Sequence, residues 1–389
     1  MFQLPNSETL IFTIDIKYKN EIAKPYINNT ENIELKKIKN LLDDGKYQKH
    51  WDKFKKLTNP YEFIFISKKK HTNKGISKYI PFSRSYFKLW EILKKFQLID
   101  HLHHKNIKTA HIAEGPGGFM ECLVNYRNIY KHDNNKNNVF GITLKSMNKN
   151  IPGWIKAKRF IKKNDITISY GKDNTGNIYN IENILYFANV IGKDKCDFIT
   201  SDGGFDFSVD YNTQEQQAYR LLFCELVMAF SIQKIGGTQI IKIFDTFTPL
   251  TIKLLYLVST LYNNVYIYKP LTSRPANSEK YIIAKGFKGI DSNYLKSLYS
   301  IVAKWEDIKK NGYSIIDLFK EEIPKTFESA IETFNKEFVK KQISFMKKTL
   351  YLIDNKPDVK TYNHIIQSLI QNATEWCNQY DITVNDRIR

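Results

Sequence analysis

Four ionic side chains stand where an α/β protein could put them to use. Asp202 follows the apolar run "CDFIT" and is itself followed by two glycines, Gly203 and Gly204. Lys242 lies inside "IIKIF", an otherwise apolar segment, and a lysine buried in a strand is costly unless it is paired or neutral. Glu279 ends the link "TSRPANSE" ahead of the apolar run "KYIIAKGF", and Lys88 sits in "SRSYFKLWEIL". Lysines and carboxylates in such a set tune one another's protonation and can move a proton. Taken singly each has a plain alternative: Asp202 as a turn cap, Lys242 reaching out to solvent, Glu279 and Lys88 as solvated surface charges. Together, three of these charges fall at successive strand ends on the edge where ligands are expected, and that joint placement singles them out.

The elements that must position these groups alternate in type. Strand patterns at "IKTAHI", "NNVFGITL", "KCDFITS", "GGTQIIKIF", "NVYIYKPL" and "KYIIAKGF" are interleaved with helical patterns at "GGFMECLVNYRNIY", "TQEQQAYRLLFCELVMAFSIQ" and "TPLTIKLLYLVSTLY". Strands alternating with helices predict an α/β fold, a mostly parallel, doubly wound sheet with helices on both faces. The last two strands are joined only by "TSRPANSEK", too short for a helical crossover, so the last strand is expected to be antiparallel. Upstream, "SRSYFKLWEILKKFQLI" predicts an amphipathic helix behind Ser83 as N-cap. This places the main domain at 81–290, after a basic N-terminal extension over 1–80 and before a helical extension over 291–389. In the first extension "SKKKHTNKG" reads as a loop, and in the last "IETFNKEFVKKQISFMKKTLYLI" reads as an amphipathic helix.

Ligands of open α/β sheets collect at the carboxyl ends of the strands. At the first such end, "AEGPGGF", Gly115, Gly117 and Gly118 allow a tight turn and close backbone approach, a feature that serves dinucleotides, phosphates and adenosyl cofactors alike. The second strand ends on Thr143 and Leu144 instead of the acid a dinucleotide enzyme uses for ribose, which argues against a nicotinamide-dependent dehydrogenase. A formal net charge of +19 and a pI near 9.4 favour a polyanionic partner, nucleic acid first, although abundant Lys, Asn and Ile also fit an A/T-rich gene. Cys122, Cys196, Cys224 and Cys377 form no C-x-x-C pair, so free thiols are expected, with no zinc ribbon, disulfide framework or metal centre. With no apolar run of spanning length and no basic-then-apolar leader pattern, the reading is a soluble, intracellular protein without a membrane partner.

In order and spacing, "FSRSYFKLWEI", "AEGPGGF", "GITLKS", "DNTGNI", "FITSDGGFD", "GGTQIIKIFDTFTP" and "TSRPANSEKYIIAKGF" resemble the motifs of FtsJ-type RNA ribose 2′-O-methyltransferases. Among these, they most resemble the eukaryotic and large-DNA-virus branch acting on the cap-proximal nucleotide of messenger RNA. The resemblance covers 81–290. It implies a Rossmann-like methyltransferase fold, S-adenosyl-L-methionine as cofactor, and a catalytic tetrad of Lys88, Asp202, Lys242 and Glu279. It also implies a cofactor site along Gly115, Pro116, Gly117, Gly118, Phe119 and Asp202, with the adenosine near Thr143 and Asn177, where relatives commonly carry Asp. The implied partner is RNA, the capped 5′ end of mRNA, with no DNA expected and with association with other capping enzymes in view; a viral source would place it in the host cytoplasm. Alternatives within the fold are an rRNA or tRNA 2′-O-methyltransferase and a non-catalytic RNA-binding subunit. In the leading reading Lys242 is the general base, with burial and Lys88 lowering its pKa and Asp202 and Glu279 raising it. The glycines after Asp202 would clear space for a nucleotide, and Tyr86, Phe119 and Phe244 are aromatic candidates for stacking on a base.

Overall fold

The computed structural model describes residues 1–6, 12–25, 30–42, 45–66, 75–99, 106–130, 137–145, 148, 151–205 and 210–385. The loop expected within 67–75 falls almost wholly outside the described residues. Through the middle of the chain run β3 (Ile107–Ile112), α4 (Gly118–Tyr130), β4 (Asn137–Ile142), α5 (Lys158–Lys163), β5 (Thr167–Ser169) and α6 (Ile181–Ile191). They are followed by β6 (Cys196–Ser201), α7 (Gln214–Ile232), β7 (Gln233–Ile243), α8 (Pro249–Leu261), β8 (Tyr262–Tyr268) and β9 (Lys280–Phe287). Of these, β5, α5 and α6 carry no clear pattern in the sequence: β5 is only three residues long, and α5 buries little.

With β1 (Phe2–Gln3), these strands form one sheet in the order β1-β8-β9-β7-β6-β3-β4-β5. Pairs from β7 through β5 are parallel; β9 is antiparallel to both β7 and β8, and β1 is antiparallel to β8. The antiparallel last strand is therefore inserted between β7 and β8, and the short β1 occupies the edge. The chain winds outward from β3 to β5, then crosses back to β6 on the other side of β3. That reversal opens the crevice in which doubly wound sheets hold ligands.

Side chains alternate between two buried layers, as a sheet covered on both faces requires. Ile199, Ile241, Ile282 and Ala284 join the core under α6, α7 and α8. Phe198, Ile240, Tyr281 and Ile283 join the opposite core with Phe87, Leu89 and Trp90 of α3 (Ser85–Phe96). Lys242 shares the parity of Ile240 and thus faces α3. The expected N-cap is corrected: Arg84 occupies that position without a side-chain cap, and the Ser83 hydroxyl instead lies 2.6 Å from Ser85 Oγ.

Residues flanking the central fold are built into it. β2 (Ile14–Lys19) pairs with β10 (Ser314–Phe319). α1 (Thr30–Leu41) and α2 (Gly45–Leu57) pack Leu35, Ile38, Trp51 and Phe54 against Val339, Ile343 and Met346 of α10 (Lys325–Asp354), the amphipathic helix expected near the C-terminus. Glu62 binds two arginines of the central region: its carboxylate accepts from Arg274 Nε and Nη2 at 3.0 and 2.8 Å and lies 3.3 Å from Arg84. Trp376 of α11 (Val359–Gln379) donates to the buried Glu91 of α3 at 3.1 Å and packs edge-on against Phe87.

Trp376→Ala is expected to cost about 3–5 kcal/mol of folding stability, through a large cavity and a buried carboxyl short of a donor. Urea unfolding monitored by circular dichroism reads this directly. A midpoint equal to that of the wild type would show that α11 is not part of the core.

Candidate active site

Register brings Asp202 and Lys242 together. Ser201 of β6 pairs with Ile241 of β7, so the next residues, Asp202 and Lys242, lie side by side on the α3 face. The Lys242 ammonium donates to the Asp202 carbonyl at 2.9 Å and stands 3.3 Å from Asp202 Oδ1. On the other flank Lys242 is level with Tyr281 of β9, whose hydroxyl donates to Asp202 Oδ1 at 2.9 Å. From α3, Lys88 reaches Glu279 at 2.6 Å, and Glu279 also accepts from Ser273 Oγ at 2.7 Å. All four expected residues line a single cleft of about 830 Å³ at the switch point.

The charges are mutually dependent. Burial pushes the Lys242 ammonium down, but Asp202 and Glu279 outweigh it and hold the group above the ordinary lysine value. Burial alone would push the Glu279 carboxyl up; Lys88, Lys242 and Lys269 hold it far below the usual carboxylate range. Lys269 is half-buried beneath the "SRPANSE" turn, donating to the carbonyls of Asn277 and Glu279 at 2.7 and 2.8 Å, and desolvation pushes it down to about 7. Burial also drives the Glu225 carboxyl of α7 well above its ordinary value.

The two glycines after Asp202 serve a different purpose from the one expected. A Cβ on Gly203 would stand 2.3 Å from Glu225 Oε1, and one on Gly204 would stand 3.0 Å from Lys242 Nζ. The space they leave is filled by the protein's own ionisable groups, so these glycines permit close packing of charge beneath the cleft.

At the β3 end, Ala113, Gly115 and Pro116 line the cleft with Thr143, Gly176 and Asn177. Gly117 adopts φ +105°, which a side chain would strain. Ala113 holds φ +56°, an uncommon conformation for a residue with a Cβ, concentrated at functional sites. The segment carrying Asn177 is locked by side chains: Asp173 accepts from Thr175, Asn180 and Asn183, and Asn183 Nδ2 donates to the Asn177 carbonyl at 3.0 Å. Asn177 Oδ1 accepts from the Tyr179 backbone at 3.0 Å, which leaves the amide N–H₂ as the group it can offer a ligand.

Three expectations for this site need correction. Gly118 does not face the cleft; a Cβ there would run into Ser85 Oγ and Ser83 Oγ, so its bareness lets α4 approach α3. Phe119 is fully buried with its ring 5.5 Å from Tyr281, because it starts the apolar face of α4. Tyr86 is likewise buried, stacked 5.9 Å from Trp90. Of the aromatic candidates Phe244 alone lines the cleft, 5.8 Å from Lys242 Nζ.

The far wall of the cleft comes from segments without a recognisable motif: Lys39 and Leu42 by α1, Trp51 and Lys55 of α2, and Gln342 and Met346 of α10. Lys39 donates to Asp245 Oδ2 at 2.8 Å and to the Tyr211 carbonyl at 3.1 Å, tying α1 to both ends of that wall. Tyr281, Ser273, Lys269 and Glu225 also escaped the sequence reading. Tyr281 could have been found from register, since it sits level with Lys242. Among the described residues no group of His, Cys, Asp and Glu is arranged to hold a metal ion, all four cysteines are buried free thiols, and no helix is long and apolar enough to cross a membrane.

Comparison with known proteins follows the same residues. The cap-specific mRNA (nucleoside-2′-O-)-methyltransferase 1 of Trypanosoma cruzi is 30% identical over 264 residues, covering 66% of this chain and 68% of that protein. The Homo sapiens protein of the same name is 37% identical over 193 residues, 47% of this chain and 22% of that one, so the chain spans under a quarter of it. Among solved structures, a ribosomal RNA methyltransferase from Plasmodium falciparum aligns at 23% identity and a TM-score of 0.38, covering 54% of this chain and 99% of that one. The sequence profile of the FtsJ-like methyltransferases matches residues 81–287, just over half of the chain and every motif around the cleft: the chain belongs to the FtsJ-like methyltransferase family.

Proposed function

We propose that the protein is an S-adenosylmethionine-dependent RNA ribose 2′-O-methyltransferase acting on the capped 5′ end of messenger RNA, at the first transcribed nucleotide. The observation that carries this reading is the meeting of the Asp202–Lys242 and Lys88–Glu279 pairs in one cleft, beside the glycine turn after β3. The cap-specific names of the trypanosome and human relatives favour that substrate over rRNA or tRNA. In this reading residues 81–290 form the methyltransferase domain, while 1–80 and 291–389 supply the far wall of the substrate cleft.

S-adenosylmethionine supplies a methyl group carried on a sulfonium sulfur. The residues present fit such a group: Gly115, Pro116, Thr143 and Asn177 line one end of the cleft, and the Asp202 carboxylate stands between that end and Lys242. Asn177 would meet the adenine through its amide N–H₂, because its oxygen is already committed to Tyr179. A ribose hydroxyl is a weak nucleophile until its proton is drawn away, and Lys242 is the group assigned to accept it. A neutral amine has two N–H donors and one lone pair. With both donors kept on Asp202, at its carbonyl and Oδ1, the lone pair is left for the cleft. Lys88, fixed by Glu279, is placed to steady the oxygen, and alignment of the reacting atoms supplies much of the remaining acceleration.

Incubation of capped, uncapped and structured RNAs with the protein and methyl-labelled cofactor is expected to label the capped RNA at the first ribose. Equal labelling of structured rRNA or tRNA fragments would reassign the substrate, and no labelling of any RNA would remove the reading. Lys242→Ala is expected to abolish transfer while cofactor affinity, measured by calorimetry, stays within about 3-fold; full activity would end the general-base role.

Because the carboxylates hold Lys242 above its ordinary value, single-turnover transfer should rise with pH into the alkaline range. Removing one of those negative charges destabilises the ammonium and lowers its pKa. Glu279→Gln should therefore move the alkaline rise to lower pH, whatever it does to the plateau. An unmoved or upward-shifted rise would show that Glu279 does not tune Lys242.

A further inference from the structure

We propose that Lys156, Lys158, Arg159, Lys162 and Lys163 form the track along which single-stranded RNA runs after it leaves the cleft; the proposal rests on the RNA reading above. Five cations fall within residues 156–163 with no acidic residue among them, and all five are exposed. None is held in an ion pair among the described residues, unlike Lys46, Lys172, Lys234 and Lys347, each of which meets a carboxylate.

The segment is fixed from beneath. Trp154 is buried and donates through Nε1 to the carbonyl of Glu114, next to the glycine turn, at 3.1 Å. Ala157 is fully buried, and Phe160 packs edge-on against Phe82, 5.6 Å between ring centres. The apolar face of the segment is thus spent on anchoring, and the whole cationic face points outward. α5 carries cations in both of its turns, Lys158 and Arg159 in the first and Lys162 and Lys163 in the last, and has no acidic residue in the first.

Position selects RNA as the polyanion these cations meet. Ile151 and Pro152, just ahead of the segment, line the cleft with Gly115 and Thr143, which sets the cations beside the mouth of the cleft at its cofactor end. Leu144 and Ile151 at the rim are 39% and 40% exposed, and Ile155 between rim and cations is 85% exposed, offering apolar contacts to unstacked bases. The helical part alone extends about 9 Å, room for about two to three phosphates.

The test combines Lys156→Gln, Lys158→Gln, Arg159→Gln, Lys162→Gln and Lys163→Gln in one full-length variant. Its control is Lys309→Gln with Lys310→Gln, at the exposed end of α9 (Ser292–Lys310), away from the cleft. Fluorescence anisotropy with a labelled single-stranded RNA of about 15 nucleotides reads affinity across a salt series. The combined variant is expected to bind about 10-fold more weakly, with the slope of log affinity against log salt shallower by about 2, while the control changes neither. In methyl transfer, KM should rise more for a long capped RNA than for a capped dinucleotide. Unchanged affinity and slope would overturn the proposal, as would loss of binding to phosphatidylserine vesicles without loss of binding to RNA. Should the variant fail to fold, photo-crosslinking of thiouridine-containing RNA to the wild type decides: crosslinked peptides must include residues 155–163, and a map lacking them overturns the track. Weakened RNA binding in a protein whose wild type methylates no RNA would uphold the track and discard the methyltransferase reading.

Discussion

The lateral pairing of β6 with β7 is the constraint on which the site depends. Ser201 against Ile241 fixes Asp202 beside Lys242, and pairing of β7 with β9 fixes Tyr281 on the other side. All three side chains share one parity, so a slip of a single residue in either ladder would send a charge into the apolar layer under α7 and α8. Two charges withdrawn from water are tolerated only when each finds its partner with good geometry. Each does so here: Lys242 on Asp202, Asp202 on Tyr281, and Lys88 on Glu279. Lys269 beneath the "SRPANSE" turn extends the same arrangement below the cleft, whereas burial drives the Glu225 carboxyl beneath Gly203 toward its neutral form.

The flanking segments share in this construction. Glu62 holds Arg84 and Arg274, one from each of two motifs, and Arg84 also donates to the carbonyls of Glu62, Tyr61 and Thr272. The approach to α3, and with it Lys88, is thereby set by a residue outside the matched region. On the opposite wall, Lys39 joins α1 to Asp245 and to the chain returning from the glycines. The buried Lys253–Asp317 pair, at 2.7 Å, secures β10 to α8 in the same way. The matched region supplies the reacting groups, and the flanking segments supply walls and bracing.

How much of this was legible in the sequence follows from how each feature is encoded. Strand ends were readable because an apolar run stopping at a charge or a glycine is a local signal, and Asp202, Lys242 and Glu279 fell there, while Lys88 lies within α3. The antiparallel relation of β8 and β9 was readable from the length of their link; the insertion of β9 beside β7 was not, since lateral order depends on contacts between distant segments. The far wall was invisible for the same reason: Trp51 and Met346 look like ordinary core residues until α2 and α10 meet. Glycine gave a position but not a purpose, as Gly118 lets two helices approach and Gly203 admits a carboxyl. Phe119 was misplaced because a motif locates a backbone turn without saying which way the next side chain points.

Lys242 and Tyr281 lie on neighbouring strands, and Asp202 is the first residue beyond a third. Their mutual spacing is the spacing of the peptide ladder itself, so no loop has to be frozen to assemble them. The ordering of this part of the site is completed when the sheet folds, and substrate association inherits it. Glu279 and Lys88 reach the cleft instead from a turn and a helix, so their half of the site depends on the packing of α3 and on the bonds Glu279 makes to Lys88 and Ser273.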